Sequence, residues 1–216
     1  CPSEAIKRWG EHMTVEEVMK VIEKDRKYYE RSGGGMTVSG GDPLVQHTFT
    51  RELLKASREA GIHTCLESTF FADWDIVADT VQYADLLISD VKHMDSEIHK
   101  KYTGMGCEQI LDNLAHLARE GHEMILRIPV IPGINDDMEN ITRTADFLES
   151  QIGSSLRTLQ LLSFMRMGEE KCASLGRPYE MKDLEFDREE FQKKVEGIAD
   201  YFNTVSWAPR KKNKNK

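Results

Sequence analysis

The sequence is poor in cysteine and contains no long apolar run. Its 216 residues include four cysteines, Cys1, Cys65, Cys107 and Cys172, and no C-x-x-C pair joins any two of them. This excludes an internal zinc or dithiol motif, and the low cysteine content is typical of the reducing cytoplasm. No stretch approaches the roughly 20 apolar residues that a membrane helix needs, and no basic, then apolar, signal segment is seen at the front. We therefore expect a cytoplasmic protein with no membrane partner.

Positive charge is also scarce, with 29 basic against 37 acidic residues and a net charge of -8. This balance argues against a nucleic-acid partner. The one basic run is "RKKNKNK" over residues 210–216, and we expect a disordered basic tail over residues 209–216. The chain opens with Cys1-Pro2 and without Met, which we interpret as the cut end of a longer protein.

Helical and strand patterns alternate along the chain. Apolar runs typical of buried strands lie at residues 36–38, 62–68, 84–92, 123–133 and 157–164. Helical periodicity or capping signals lie at residues 14–29, 48–60, 73–83, 107–120, 136–151 and 187–202. The alternation predicts βαβ units and a parallel sheet in an α/β fold. Five units are too few for a closed eight-stranded barrel, so an open sheet or a partial barrel fits better.

Glycines crowd both ends of the first strand, in "SGGGMTVSGGDPLVQ" over residues 32–46. Glycine weakens a strand and is tolerated where a backbone must come close to something else. Ligands of parallel α/β folds meet the carboxyl ends of the strands. Those ends carry Gly40 to Pro43, Glu67 and Ser68, Asp90 to His93, Arg127 within its strand, and Ser163 to Arg166. Charges of both signs should therefore converge on one rim, where a ligand with a carboxylate and an ammonium would suit them.

Several of these residues also have a purely structural interpretation. Gly40-Gly41 could form only a tight turn, and Asp90 with Lys92 could form only a salt bridge at the rim. Arg127 is harder to explain in this way, because an unpaired buried guanidinium is costly. Cys65 and Cys107 are interpreted as small buried apolar residues. His47, His93, His99 and His116 are interpreted as surface groups, and residues 102–104 as part of a loop.

Six ordered blocks carry a resemblance to a known family: "SGGGMTVSGGDPLVQ", "GIHTCLES", "LLISDVKHMD", "HKKYTG", "RIPVIPGIND" and "LGRPY". From Cys1 to about Ala208 the chain resembles the activating enzymes of glycyl radical enzymes, such as pyruvate formate-lyase activating enzyme, in the radical S-adenosylmethionine (SAM) superfamily. The resemblance implies a partial (β/α)6 TIM-like barrel, here with five βα units and without the first strand. It also implies that S-adenosylmethionine binds a [4Fe-4S] cluster and is cleaved by one electron. The radical so formed takes hydrogen from a glycine of the partner enzyme.

The resemblance also implies roles for individual residues. Gly40, Gly41, Asp42 and Pro43 match the motif at the ligand's amino group, Asp90, Val91 and Lys92 match a strand end near the ligand, and Arg127 matches an arginine on its carboxylate side. Glu67, Ser68 and Asp90 fall where some members bind a monovalent cation. Met165 stands on the adenosine side, where many members have His. Asp42 is shorter than the more usual Glu, so its contacts should differ.

Two features of the family are missing from the sequence. It contains neither the C-x-x-x-C-x-x-C loop that holds the cluster nor the first barrel strand. Residues 1–12 resemble the end of a ferredoxin-like insert, with Cys1 as the last ligand of an auxiliary [4Fe-4S] cluster, and residues 13–208 form the barrel. We therefore expect this chain alone to hold no cluster and to be inactive.

The expected partners are a glycyl radical enzyme and a one-electron donor such as flavodoxin or ferredoxin. The partner enzyme could be a pyruvate formate-lyase homologue, a dehydratase, or a decarboxylase acting on an arylacetate or choline-like substrate. Phe70, Phe71, Trp74 and residues 164–171 are expected to form its groove. Two alternatives remain open: an aldolase that forms a Schiff base on Lys92, and a docking module without catalysis.

Overall fold

The computed structural model describes residues 10–179 and 181–205. The predictions for Cys1, for the rest of residues 1–9 and for the tail at 209–216 lie outside these residues. The strands are β1 (Gly35–Val38), β2 (His63–Glu67), β3 (Leu86–Asp90), β4 (Met124–Val130) and β5 (Leu156–Ser163). The α-helices are α1 (Val15–Ile22), α2 (Arg26–Ser32), α3 (His47–Glu59), α4 (Trp74–Val81), α5 (Ser96–Thr103), α6 (Glu108–Arg119), α7 (Met138–Phe147), α8 (Glu169–Ser174) and α9 (Arg188–Thr204). Short 3-10 segments lie at Glu23–Asp25, Pro43–Gln46 and Gly153–Ser155, and a π-helical turn lies at Leu148–Ile152.

The five strands form one parallel sheet in chain order, β1-β2-β3-β4-β5. Between successive strands the chain returns through at least one helix, as parallel pairing requires. The α/β class and the parallel sheet predicted from the alternation are confirmed. All five carboxyl ends lie at the same edge of the sheet.

The two faces of the sheet differ in cover, and β4 shows this directly. Met124, Leu126, Ile128 and Val130 are 0–1% exposed and belong to the apolar core shared with the helices. The residues between them, including Arg127, are half-exposed. Successive side chains of a strand point to opposite faces. We call the two sides the helix-covered face and the open face.

Capping side chains set several helix starts. Thr14 and Glu17 form the predicted capping box at α1. Asp187 accepts hydrogen bonds from the amides of Glu189 and Glu190 at the start of α9. Such caps satisfy amides that the first turn of a helix leaves without a partner.

The helix α5 was not predicted, and two histidine assignments were wrong. Residues 102–104 were assigned to a loop, but Thr103 ends α5 and Gly104 caps it in the left-handed conformation. His99, on this helix, is buried and lies 2.6 Å from the carbonyl of Met105 through its Nδ1. His93 is also buried, and its Nδ1 accepts from the amide of Asp95. Both rings therefore form hydrogen bonds with the backbone of the segment that connects β3 to α6.

Gly35 is required by packing. A β-carbon at this position would lie 1.9 Å from the carbonyl oxygen of His63 on β2. Residue 35 must therefore be glycine for β1 and β2 to pair as closely as they do. The glycine that begins β1 thus has a structural cause in strand packing.

None of the helices in the described part of the chain combines the length and apolarity that a membrane span needs.

Candidate functional site

A cleft of about 220 Å³ lies at the carboxyl ends of β1 to β4. The turn after β1 contributes Gly40, Gly41 and Asp42 to it, and the end of β2 contributes Glu67 and Ser68. The other predicted residues in the cleft are Asp90 at the end of β3, Lys92 just after it, and Arg127 on β4. Residues as far apart in sequence as Gly40 and Arg127 therefore line one space, as the strand-end reasoning predicted.

Three predicted site residues do not line this cleft. Pro43 is buried, begins the 3-10 segment after the glycine turn and lines an adjacent groove. Val91 is buried, and its amide donates to the carbonyl of Arg127 at 2.8 Å. Met165 is 68% exposed and lines a separate pocket with Phe164 and Phe186. Its assignment to the adenosine side stays a prediction.

Four charges form a connected network on the open face. Arg127 Nε donates to Asp90 Oδ1 at 3.0 Å, and Arg127 Nη2 donates to Glu67 Oε1. Lys92 Nζ donates to the other oxygen of Asp90, Oδ2, at 3.1 Å. The network has two charges of each sign, so it is formally neutral. The salt bridge considered for Asp90 and Lys92 is present. The guanidinium of Arg127 is paired with two carboxylates, those of Asp90 and Glu67.

The environment keeps Arg127 charged. Burial acts to lower the pKa of Arg127, but the hydrogen bond to Glu67 and the negative charge of Asp90 outweigh it and raise that pKa above its ordinary value. The cleft therefore presents a permanent cation between two carboxylates. Glu67 and Asp90 both face this guanidinium, and the prediction that they bind a monovalent cation with Ser68 remains untested.

Asp42 ties the turn after β1 to the end of β2. Its Oδ1 accepts from the amide of Leu44 at 3.0 Å and from the hydroxyl of Ser68 at 2.9 Å. Its Oδ2 accepts from the amide of Thr69 at 3.0 Å and from the hydroxyl of the same residue. A carboxylate has about four acceptor sites, and protein donors approach both oxygens here. The side chain of Asp42 thus holds the turn in place.

The glycines of the turn leave open space beside the main chain. Gly40 has a φ of 138°, a conformation that favours glycine. Gly41 has no such φ, and a β-carbon at either position would meet no atom within 4 Å. Neighbouring residues therefore do not explain glycine at position 41. A ligand that approaches the main chain would explain it.

The loop after β2 corrects the predicted partner groove. Phe70 is fully buried, with a φ of 56° that is unusual for a residue other than glycine. Trp74 is half-buried and packs edge-on against His116. Phe71 alone of the three aromatic residues has an exposed side chain. The expectation that Phe70 contacts a partner was wrong, because its ring belongs to the core.

Two buried asparagines at the rim were missed. Asn135 Nδ2 donates to the carbonyls of Lys92 and Pro129, both at 2.8 Å, and so joins the ends of β3 and β4. Asn113 donates to carbonyls of the loop after β2. Asn135 lies in "RIPVIPGIND", but the sequence gives no partner for either carboxamide. Such side chains are recognised only when their burial is known.

The described residues do not provide a site for an iron–sulfur cluster. Within residues 10–179 and 181–205, no three His, Cys, Asp or Glu side chains are grouped so that they could hold a metal. Burial raises the pKa of the thiols of Cys65 and Cys107, which disfavours the thiolate that ligates iron. The prediction that both cysteines are buried is confirmed.

The relatives that comparison with known proteins finds for this chain include activating enzymes of the radical SAM superfamily. The family model of the radical SAM superfamily matches residues 1–145. The chain is 57% identical over 202 residues to a (2S)-3-sulfopropanediol dehydratase activating enzyme of Klebsiella oxytoca, covering 94% of this chain and 64% of the relative. It is 39% identical over 191 residues to an isethionate sulfite-lyase activating enzyme of Nitratidesulfovibrio vulgaris, covering 88% of this chain and 61% of the relative.

A solved structure supports the same grouping. A crystal structure of a domain of pyruvate-formate lyase-activating enzyme from Bacteroides vulgatus matches with a TM-score of 0.62 and 29% identity. The match covers 79% of this chain and 95% of that domain. The chain spans 64% and 61% of the length of the two curated relatives above.

Proposed function

The chain belongs to the radical SAM superfamily, and from this premise we propose that it is the barrel part of an enzyme that activates a glycyl radical enzyme. The full protein would reductively cleave S-adenosylmethionine and install a glycyl radical on its partner. The resemblance read from the six sequence blocks is confirmed by the relatives, which are activating enzymes of this kind. The five-stranded sheet is proposed to be part of a partial (β/α)6 barrel that lacks its first strand here.

The observation that carries the proposal is a cleft that holds charges of both signs beside a main chain without side chains at Gly40 and Gly41. An amino-acid group carries a carboxylate and an ammonium, so a site with paired charges suits it better than a site of one sign. Arg127 and Lys92 are proposed to face the carboxylate. The ammonium would donate to main-chain carbonyls of the Gly40–Gly41 turn, where Asp42 holds the backbone in place. Asp90, through its contacts with both Arg127 and Lys92, would fix the two cations relative to each other.

We propose that the cluster is bound by residues outside those described. When bound, a reduced cluster with S-adenosylmethionine would supply the radical chemistry that abstracts a hydrogen atom from a glycine of the partner. We propose that its ligands lie in a C-x-x-x-C-x-x-C loop that this sequence does not contain, and that this chain alone is inactive. We further propose that residues 1–12 are the end of a ferredoxin-like insert with Cys1 as its last ligand, and that residues 13–208 form the barrel.

The partner is proposed to be a glycyl radical enzyme of the dehydratase type. The relative named for (2S)-3-sulfopropanediol dehydratase is 57% identical, against 39% for the isethionate sulfite-lyase relative. A flavodoxin or a ferredoxin is proposed as the electron donor. The aldolase alternative gains no support from Lys92, because its nitrogen is engaged by Asp90 and an ion-paired ammonium is a poor nucleophile.

The proposal is tested with the full-length, cluster-containing protein under anaerobic conditions. With a reductant, S-adenosylmethionine and the dehydratase, we expect methionine, 5′-deoxyadenosine and a glycyl radical signal by electron paramagnetic resonance. The proposal would be refuted if the products and the radical did not exceed the level of a control reaction without the protein. Trapping of a carbonyl substrate on Lys92 by borohydride would instead support the aldolase.

A further inference from the structure

The loop after β2 is held in a conformation that its own sequence disfavours. Loop 68–73, from Ser68 to Asp73, connects β2 to α4 and lies beside the charged cleft. At its centre Phe70 has a φ of 56°, where a side chain with a β-carbon is strained. A backbone of this kind persists only when its surroundings hold it.

Burial of the ring is the first constraint on the loop. Phe70 is 0% exposed and belongs to the apolar core under the sheet. The next residue, Phe71, is 37% exposed. The two neighbouring aromatic rings therefore have opposite environments: the first anchors the loop, and the second is presented at the surface.

Asn113 is the second constraint. This residue of α6 is 4% exposed, and its Nδ2 donates to the carbonyl of Phe70 and to the carbonyl of Ala72, both at 2.8 Å. One carboxamide thus satisfies two carbonyls that flank Phe71. Without it the buried carbonyl of Phe70 and the part-buried carbonyl of Ala72 would lose this donor, and a buried carbonyl without a partner is costly.

A third set of contacts holds the loop from the cleft side. Asp42 accepts from the amide and the hydroxyl of Thr69. Ser68 Oγ accepts from the amide of Phe70, and Thr69 Oγ1 accepts from the amide of Phe71. Each loop amide from Thr69 to Phe71 therefore has a side-chain acceptor. The loop has few ways to relax without losing several of these bonds.

We propose that Asn113 and Phe70 are positioning residues: they clamp loop 68–73 so that Thr69 and Phe71 contact the polypeptide substrate where it enters the charged cleft. This rests on the proposed function, since an activating enzyme must admit a segment of another protein's backbone. A polypeptide backbone offers amides that can donate to the remaining acceptor position of the Thr69 hydroxyl, whose proton is held by Asp42. Its apolar side chains can pack on the Phe71 ring. A preformed loop lowers the ordering cost of such binding.

The first test measures the loop itself. In the full-length protein, hydrogen exchange of the amides of residues 69–71 should be about tenfold faster or more in Asn113→Ala, because one buried and one part-buried carbonyl lose their donor. Leu117→Ala is the matched control, since this fully buried residue lies one turn further along α6. It should lower the melting temperature without selectively exposing the loop. Equal exchange at 69–71 in Asn113→Ala and wild type would refute the clamp.

The second test measures the partner. The (2S)-3-sulfopropanediol dehydratase named for the relative is the probe, and its dissociation constant is measured without turnover. Asn113→Ala and Phe71→Ala should each weaken binding by about tenfold, the scale of one lost hydrogen bond or one exposed aromatic contact. Both should raise the KM for the dehydratase more than they lower kcat. Leu117→Ala should bind as wild type does.

The outcomes separate the two proposals. Unchanged dehydratase binding in Asn113→Ala and Phe71→Ala, or equal weakening in Leu117→Ala, would overturn the clamp while the proposed function stands if wild type still forms the glycyl radical. A wild-type protein that neither binds the dehydratase nor forms the radical would overturn both. Should Asn113→Ala fail to fold, Phe71→Ala decides alone, because its side chain is exposed and its loss leaves the core unchanged.

Discussion

The two faces of the sheet have different roles, and alternate residues of the same strand serve them: one face is buried and apolar, the other is charged and accessible. On β4 the helix-covered face carries four fully buried apolar side chains, while the open face carries Arg127 within a network of charges. Parallel sheets are usually covered on both faces. The difference shows that apolar burial on one face supplies the stability, and this allows the other face to keep polar groups accessible. Changes to the two faces should therefore separate stability from ligand binding.

Leu126→Ala should have the largest effect on stability. Leu126 is 0% exposed on the helix-covered face, and its truncation leaves a cavity that costs about 2–5 kcal/mol of unfolding free energy. Denaturant unfolding followed by circular dichroism measures this loss. Ile125→Ala, on the neighbouring half-exposed position of the open face, is the control and should cost clearly less. Equal losses would contradict the division between the two faces.

Gly35, the first residue of β1, and Gly41, in the turn after β1, should respond differently to replacement by alanine. Gly35→Ala forces a β-carbon against the carbonyl of His63 and should cost about 1–3 kcal/mol, as overpacking does. Gly41→Ala meets no protein atom and should change the unfolding free energy by less than about 0.5 kcal/mol.

For S-adenosylmethionine binding the order of the two effects should be reversed, with the larger effect in Gly41→Ala and the smaller in Gly35→Ala. In the full-length protein, Gly41→Ala should weaken S-adenosylmethionine binding, because its methyl group fills space beside the main chain. A stable Gly35→Ala variant should bind more nearly as wild type does. If Gly41→Ala destabilises the fold as much as Gly35→Ala, glycine at position 41 has a packing role and the ligand interpretation fails.

The smallest effect is a pH dependence that arises away from the cleft. Burial lowers the pKa of His122, just before β4, although Glu120 opposes this. A depressed folded-state pKa favours the neutral ring, so stability is retained above the ordinary value of about 6.5 and falls as the pH drops below it. We expect a loss below about 1 kcal/mol between about pH 7.5 and pH 5.5. The loss should shrink in His122→Gln, and an identical slope in both proteins would contradict this.

The sequence predicted the fold better than it predicted the contacts within the site. Buried-type strands between amphipathic helices were enough for a parallel sheet, and the rule that ligands meet strand ends placed Gly40, Asp90 and Arg127 in one region. The helix α5 was missed because its short, mostly polar sequence has little apolar periodicity. The pairing of Arg127 with Glu67 could not be predicted, because it depends on strand register and joins residues 60 positions apart.

The loop after β2 shows the same limit for backbone conformation. Phe70 and Phe71 are identical in type and adjacent, so no periodicity shows which ring is buried. The left-handed backbone of Phe70 is set by Asn113, Asp42 and the core together. Contacts of this kind come from tertiary structure and leave no local signal.

The most direct test of the account is S-adenosylmethionine binding to the full-length, cluster-containing protein by equilibrium dialysis, in wild type, Arg127→Gln and Arg157→Gln. Arg157 is the matched control, because it also pairs with a glutamate, Glu123, but near the amino end of the sheet. Loss of a charged hydrogen-bond donor should weaken binding by about tenfold or more in Arg127→Gln. Arg157→Gln should bind as wild type does. Wild-type affinity in Arg127→Gln would contradict the claim that the charged cleft holds the amino-acid end of the ligand.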